Sequence, residues 1–371
     1  MAVELSEDEV RAVARAVLGE SMTPGGWHVE DVPYESGSPA TGGLMRVRGV
    51  TGRGRRWSVF VKLLQHVRHW PRLHVIPPDA RQAFADFFPW RQELAAWEES
   101  FAGRLPAGLR VPALYRLTDL GDDRLLVWME DVDTLDGAWD VTRFARAAGV
   151  LGGLATLRGT PEVIDGSGRP PGWGLRAYVD NRLRSWALPM LADDDVWSHP
   201  LLAGTTDPAL RADLRHIGDR LPAILGRLDA LPQAVPHGDA SPQNLLVPAD
   251  GTDEFIAIDI SFQCPMAVGF DLGQLLVGLV HAGHLPPGAL PEVHKVLVPS
   301  FVAGMKEYGI DTSVDAVTYG YAGSLVVRAG LTSLPFEQLG APATEQLTTL
   351  FRQRAELSRF IADIGLDLLD N

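Results

Sequence analysis

Two carboxylates and one amide carry most of the chemistry that can be read from this chain. Asp239 lies in the run His237-Gly238-Asp239-Ala240-Ser241-Pro242-Gln243-Asn244-Leu245-Leu246. Asn244 follows it by five residues, and Asp259 lies a further fifteen on, closing the apolar stretch Phe255-Ile256-Ala257-Ile258. A loop aspartate can accept the proton of an attacking hydroxyl. A carboxamide oxygen and a second carboxylate are hard donors suited to Mg²⁺, which takes one or two protein oxygens and leaves the rest to phosphates and water. Together the three meet the needs of phosphoryl transfer from Mg·ATP to a hydroxyl. Each also has an ordinary structural alternative: an Asx-turn for Asp239, a turn or helix cap for Asn244, a strand-end cap for Asp259. The presence of all three at this spacing favours the chemical reading. His237 suits a bracing role in the loop, and Asp271 that of a helix N-cap or loop brace.

Other elements must position these groups and hold the nucleotide. Residues 5–18 place Val10, Val13, Ala14 and Val17 at helical spacing. Met45 and Val47 alternate with Arg46 and Arg48, Thr51-Gly52-Arg53-Gly54 reads as a hairpin turn, and the return strand sets Trp57, Val59, Val61 and Leu63 against Ser58, Phe60 and Lys62. An ammonium on that second face needs a partner if it is buried. The spacing of Trp90, Leu94, Trp97 and Phe101 predicts a helix from about Pro89, with Glu93 on its flank as the partner of Lys62 and Glu98 as the rival. There is no G-x-x-x-x-G-K-[ST] and no clean G-x-G-x-x-G. Ser38, Thr41, Gly42 and Gly43 could donate hydrogen bonds to phosphates, or form an ordinary turn. The strand Leu125–Glu130 runs into Asp131-Val132-Asp133, and helical spacing returns from Leu272 to Val280.

These motifs resemble the aminoglycoside phosphotransferase family of small-molecule kinases. The pattern H-G-D-x-x-x-x-N followed by two hydrophobic residues is matched from His237 to Leu246, and the family's I-D and G-x-D-L by Ile258-Asp259 and Gly269-Phe270-Asp271-Leu272. With Lys62 and Glu93, the resemblance covers roughly residues 35–280 in the expected order. It departs at Ile260-Ser261-Phe262 and at the weakly marked phosphate loop. The resemblance implies an α+β, protein-kinase-like bilobal fold, with a small β-rich N-lobe over residues 1–130 and a larger, mainly helical C-lobe over 131–371. It implies ATP and Mg²⁺ as cofactors, Asp239 as catalytic base, and Asn244 and Asp259 as metal ligands. The nucleotide would be held by Lys62, Glu93, Ser38, Thr41, Gly42 and the backbone around Glu130 and Val132. No A-P-E segment follows Asp259, which favours a small-molecule hydroxyl acceptor over a protein. The acceptor pocket would draw on residues 173–205, including Trp173, Tyr178, Arg182, Trp186 and Trp197, and on the segment after Asp271. Those aromatics could equally be helix-packing residues. The acidic run Asp193-Asp194-Asp195 could meet a polycation or cap a helix. The resemblance points first to an aminoglycoside or related amino sugar or antibiotic as acceptor. A kinase of another small metabolite (sugar, choline- or homoserine-like), a nucleotide-binding regulatory protein without turnover and an adenylyl transferase are the rival readings.

Composition sets the outer bounds. At 371 residues and 46% hydrophobic content the chain can bury a sizeable interior. A net charge of −14 argues against nucleic acid and would attract cations, although acidic surfaces also serve solubility. No apolar leader or bilayer-length run is visible, and Cys264 stands alone, so a cytoplasmic protein with no membrane and no protein partner is expected. Cys264 itself reads as a buried packing residue. His66, His69 and His74 read as a solvated loop, and His281 and His284 as favourable charges near a helix end.

Overall fold

The computed structural model describes residues 5–19, 24–33, 37–135, 137, 139–167, 173–260 and 263–370. The chain divides into two compact units. The first comprises Met1–Gly103, Arg110–Leu135 and Val247–Ile258, and the second Arg104–Leu109, Asp136–Leu246 and Asp259–Asn371.

The first unit opens with helix α1 (Glu7–Leu18). Ser6 starts it with a capping box: its hydroxyl accepts from the Glu9 N–H at 3.3 Å and donates to the Glu9 carboxylate at 2.8 Å. Strands β1 (Pro24–Asp31), β2 (Thr41–Thr51), β3 (Arg56–Gln65), β4 (Leu114–Gly121) and β5 (Arg124–Glu130) form one antiparallel sheet in the order β1-β2-β3-β5-β4. The β2–β3 hairpin closes with Gly54 at φ +81°, a left-handed conformation that glycine adopts without steric cost. Because side chains alternate, the sheet has two apolar faces. Val47, Trp57, Val59, Val61 and Trp128 pack under Val10, Val13 and Ala14 of α1. Leu64, Leu125, Val127 and Met129 pack on the other face against Phe60, Trp90, Leu94 and Trp97. Lys62 projects to that second face.

The helix expected from Pro89 does not form as one element. Gln92–Trp97 is a 3-10 helix, Glu98 is extended at ψ 145°, and Glu99–Ala102 makes a single α-turn. Three residues per turn place both Glu93 and Ala96 inward. The Trp97 indole also donates to the Pro112 carbonyl at 2.7 Å, a tertiary bond that competes with straight helical continuation.

The second unit is mainly helical. Helix α2 (Val141–Leu157), N-capped by Asp140, packs along α4 (Leu290–Glu307). A side chain at Gly152 would strike the Phe301 carbonyl, and one at Gly304 the Gly149 carbonyl, so glycine is required for this approach. Helices α3 (Phe270–His281), α5 (Val314–Leu325) and α6 (Glu345–Asp370) complete the core, burying Leu272, Leu276, Val317, Tyr321, Phe351 and Ile361. Each large apolar side chain removed from water in this way contributes about 1.5–3 kcal/mol. No helix among the described residues is long and apolar enough to cross a membrane.

Candidate active site

In the first unit the buried ammonium of Lys62 lies 2.6 Å from the Glu93 carboxylate. Both residues are under one-tenth exposed, so each charge offsets the other where water cannot. Glu98, the rival partner, is exposed. Thr41 is buried, and its N–H donates to Ser38 O at 3.4 Å. A register shift between Thr41 and Gly43 breaks the ladder beside Gly42. A Cβ on Gly42 would fall 2.6 Å from Oε1 of the buried Gln65, whose Nε2 has no hydrogen-bond partner among the described residues. The segment around Gly42 therefore combines an irregular strand start with closely packed backbone that only glycine permits. Tyr34 to Ser36 of the same stretch lie outside the described residues.

Glu130 is engaged through its side chain within the first unit. Its carboxylate takes two bonds from Arg110, at 2.6 and 2.8 Å, and one from the Ala113 N–H at 3.0 Å. The Arg110 hydrogen bonds hold its pKa below the usual carboxylate range. Its side chain is thus committed to structure, while Val132 is half-buried in the segment that follows.

In the second unit the loop bearing Asp239 is held from beneath by Asp271, in the first turn of α3. Asp271 accepts the His237 N–H at 2.9 Å and the Gly238 N–H at 2.8 Å, one on each carboxylate oxygen. Burial raises the Asp271 pKa, opposed by attraction to His237, these two backbone bonds and Arg328. The brace expected of Asp271 is present, and the N-cap position belongs to Gly269. Gly238 sits at φ +88°, which favours glycine there. His237 is fully buried, and its Nδ1 accepts from the Asp239 N–H at 3.3 Å. Gln243 Nε2 donates to the Gly278 carbonyl at 3.0 Å, fastening the loop to α3.

Asp239 and Asn244 are brought together. The Asn244 amide nitrogen donates to Asp239 O at 2.9 Å and to Asp239 Oδ2 at 3.1 Å. Two acceptors fix which end of the amide is nitrogen, so the Asn244 oxygen turns away from Asp239. Asp259 has φ +57°, a strained backbone for a residue with a side chain. The Asn244 amide oxygen and the half-buried Asp259 carboxylate are hard oxygen donors of the type a Mg²⁺ ion takes, so their chemistry is compatible with that metal. Among the described residues no group of three or more His, Cys, Asp or Glu forms a metal centre by itself.

Two arginines went unread in the sequence. Arg328 donates to Asp239 Oδ1 at 3.1 Å and also to the Gly238 carbonyl. Arg158, buried with its pKa pushed down to about 10 by burial, donates to Val235 O at 3.0 Å and to Gln263 Oε1 at 2.8 Å. It thereby ties the stem of the Asp239 loop to the chain just beyond Asp259. Both lie far in sequence from their partners, where spacing rules give no signal.

The aromatics of residues 173–205 divide by environment. Trp186 and Trp197 meet Phe336 edge-on at 6.0 and 6.4 Å, and Arg182 covers Trp186 at 4.2 Å, which is helix packing. Trp173 instead lines a cavity of about 230 Å³ with Cys264, Met266 and Phe270. Asp193 caps the helix Asp194–Ser198. Cys264 is buried as expected. His281 departs from its expected role: burial, then Arg354, push its pKa down to about 4, so no imidazolium meets the helix end.

No protein-family model matches the chain, and no curated protein matches it in sequence. Solved structures do share its fold. A candidate aminoglycoside phosphotransferase from Ralstonia eutropha JMP134 superposes with a TM-score of 0.57 at 15% identity, over 99% of each chain. An aminoglycoside phosphotransferase from Alicyclobacillus acidocaldarius does so with a TM-score of 0.52 at 13% identity, covering 100% of this chain and 98% of that one. At such identities the likeness shows a common fold: the α+β, protein-kinase-like architecture, with a β-rich first unit and a mainly helical second.

Proposed function

We propose that this protein transfers the γ-phosphoryl group of ATP to a hydroxyl of a small molecule, with an aminoglycoside or related amino sugar as the first acceptor class to test. One observation carries the reading: Asp239 is held at its backbone by Asp271 through its neighbours and at its carboxylate by Asn244 and Arg328. A carboxylate fixed in this way can align an acceptor hydroxyl and take its proton. Lys62, fixed by Glu93, would orient the α- and β-phosphates. Asn244 and Asp259 would hold Mg²⁺, which when bound neutralises charge on the phosphate oxygens. The names of the two similar structures support a phosphotransferase, and the net charge of −14 is compatible with a cationic acceptor.

The test is ADP release from Mg·ATP across aminoglycosides, amino sugars, neutral sugars and amino alcohols, with Asp239→Asn as control. The expected result is acceptor-dependent ADP formation that falls by about 10²–10⁴-fold in the variant. Equal rates in variant and wild type would remove Asp239 as the base. ATP binding with no turnover for any acceptor would favour the non-catalytic reading.

A further inference from the structure

We propose that Arg328, ninety residues beyond the Asp239 loop, is a positioning residue that sets the orientation of the catalytic carboxylate; this rests on the phosphotransfer reading above. Arg328 holds the loop at two points at once. One guanidinium nitrogen donates to the Gly238 carbonyl and another to Asp239 Oδ1 at 3.1 Å. Asn244 occupies Oδ2 from the other side at 3.1 Å. With one donor on each oxygen, rotation of the carboxylate about its Cβ–Cγ bond breaks at least one bond, so its plane is fixed.

The arginine is itself aimed by its surroundings. It lies in a π-helical turn, Val326–Gly330, that continues α5, and such local widening is a frequent mark of functional sites. Its carbonyl accepts from the Tyr178 hydroxyl at 2.9 Å and from Thr332 Oγ1 at 3.1 Å. Its guanidinium lies 5.4 Å from the centre of the Phe270 ring, which also walls the Trp173 cavity. The planar fork of arginine can bond a carbonyl and a carboxylate together, whereas the single ammonium of lysine cannot reproduce that geometry.

The experiment uses the full chain with Mg·ATP and the panel acceptor that the wild type turns over fastest, or water if none is accepted. Asp239→Asn is measured first, so failure of the phosphotransfer reading shows before any Arg328 variant is judged. Arg328→Lys and Arg328→Ala are then compared by kcat, KM for ATP, melting temperature and rescue by millimolar guanidinium chloride. The proposal expects kcat to fall by about 10- to 100-fold in both variants with KM for ATP nearly unchanged, because a carboxylate misplaced by about 1 Å can cost 10²-fold. It also expects guanidinium to restore part of the rate of Arg328→Ala. Should Arg328→Ala fail to fold, Arg328→Lys alone decides through kcat and KM. A kcat within about twofold of wild type, or a loss that tracks lowered melting temperature and resists guanidinium, would overturn it.

Discussion

Replacing Asp271 by alanine removes the side chain that accepts from two neighbouring buried N–H groups. His237 and Gly238 each donate to it, at 2.9 and 2.8 Å, and Asp271 is only 4% exposed. Each donor left unpaired costs about 1–3 kcal/mol, giving about 2–6 kcal/mol for the pair. An opposing effect narrows this. Burial raises the Asp271 pKa, which means the charge is held against a desolvation cost that the substitution relieves. The net loss should therefore sit in the lower half of that range, at about 2–4 kcal/mol. Asp271→Asn keeps the shape and one acceptor, but turns an NH₂ group toward the second N–H. It should lose about 1–3 kcal/mol, near the cost of one unmade bond. Urea unfolding followed by tryptophan fluorescence measures both, and ADP release measures the consequence for the loop. Because Gly238 immediately precedes Asp239, kcat should fall by about 10²-fold in either variant. Alanine and asparagine variants within about 0.5 kcal/mol of wild type, with kcat intact, would refute the brace.

Three further outcomes follow from other contacts. Lys62→Met or Glu93→Gln alone breaks a buried ion pair and should cost about 3–5 kcal/mol, while Lys62→Met/Glu93→Met together should cost clearly less; urea unfolding of the three variants checks this. Gly278→Ala would place a Cβ 2.6 Å from Ser241 Cβ and 3.0 Å from Gln243 Oε1, so it should destabilise by about 1–3 kcal/mol and lower kcat without changing KM for ATP. His281 has a folded pKa of about 4 against 6.5 for the ordinary group. Between those values the unfolded chain binds the extra proton, so the stability owed to the neutral ring is full above pH 6.5 and is lost as pH falls toward 4. That difference is on the order of 2–3 kcal/mol, and His281→Gln should remove it from a comparison of urea midpoints at pH 7 and pH 4.5.

What could be read in the sequence was what local spacing encodes. The β2–β3 hairpin showed through strict alternation on either side of Thr51-Gly52-Arg53-Gly54, and α1 through its i, i+3, i+4 pattern. Strand β1 gave little signal, because as an edge strand it carries few apolar residues and leaves Val29 41% exposed. The stripe from Trp90 to Phe101 was read at helical period, yet apolar side chains facing one sheet can be delivered by a 3-10 turn and a kink as well. Lys62 still pairs with Glu93 because residue 93 points inward under either geometry. Arg328 and Arg158 were invisible for a different reason. Their partners lie 89 and 77 residues away, and only tertiary packing brings them there.

The central claim is that the γ-phosphoryl group passes to a small-molecule hydroxyl oriented by Asp239. Parallel reactions with ATP labelled at the γ- or the α-phosphate, run with the acceptor panel and resolved by product, test it most directly. The account predicts γ-label on the acceptor, unlabelled ADP, and loss of both products with Asp239→Asn. α-Label on an acceptor with release of pyrophosphate, or γ-label transferred equally well by Asp239→Asn, would contradict it.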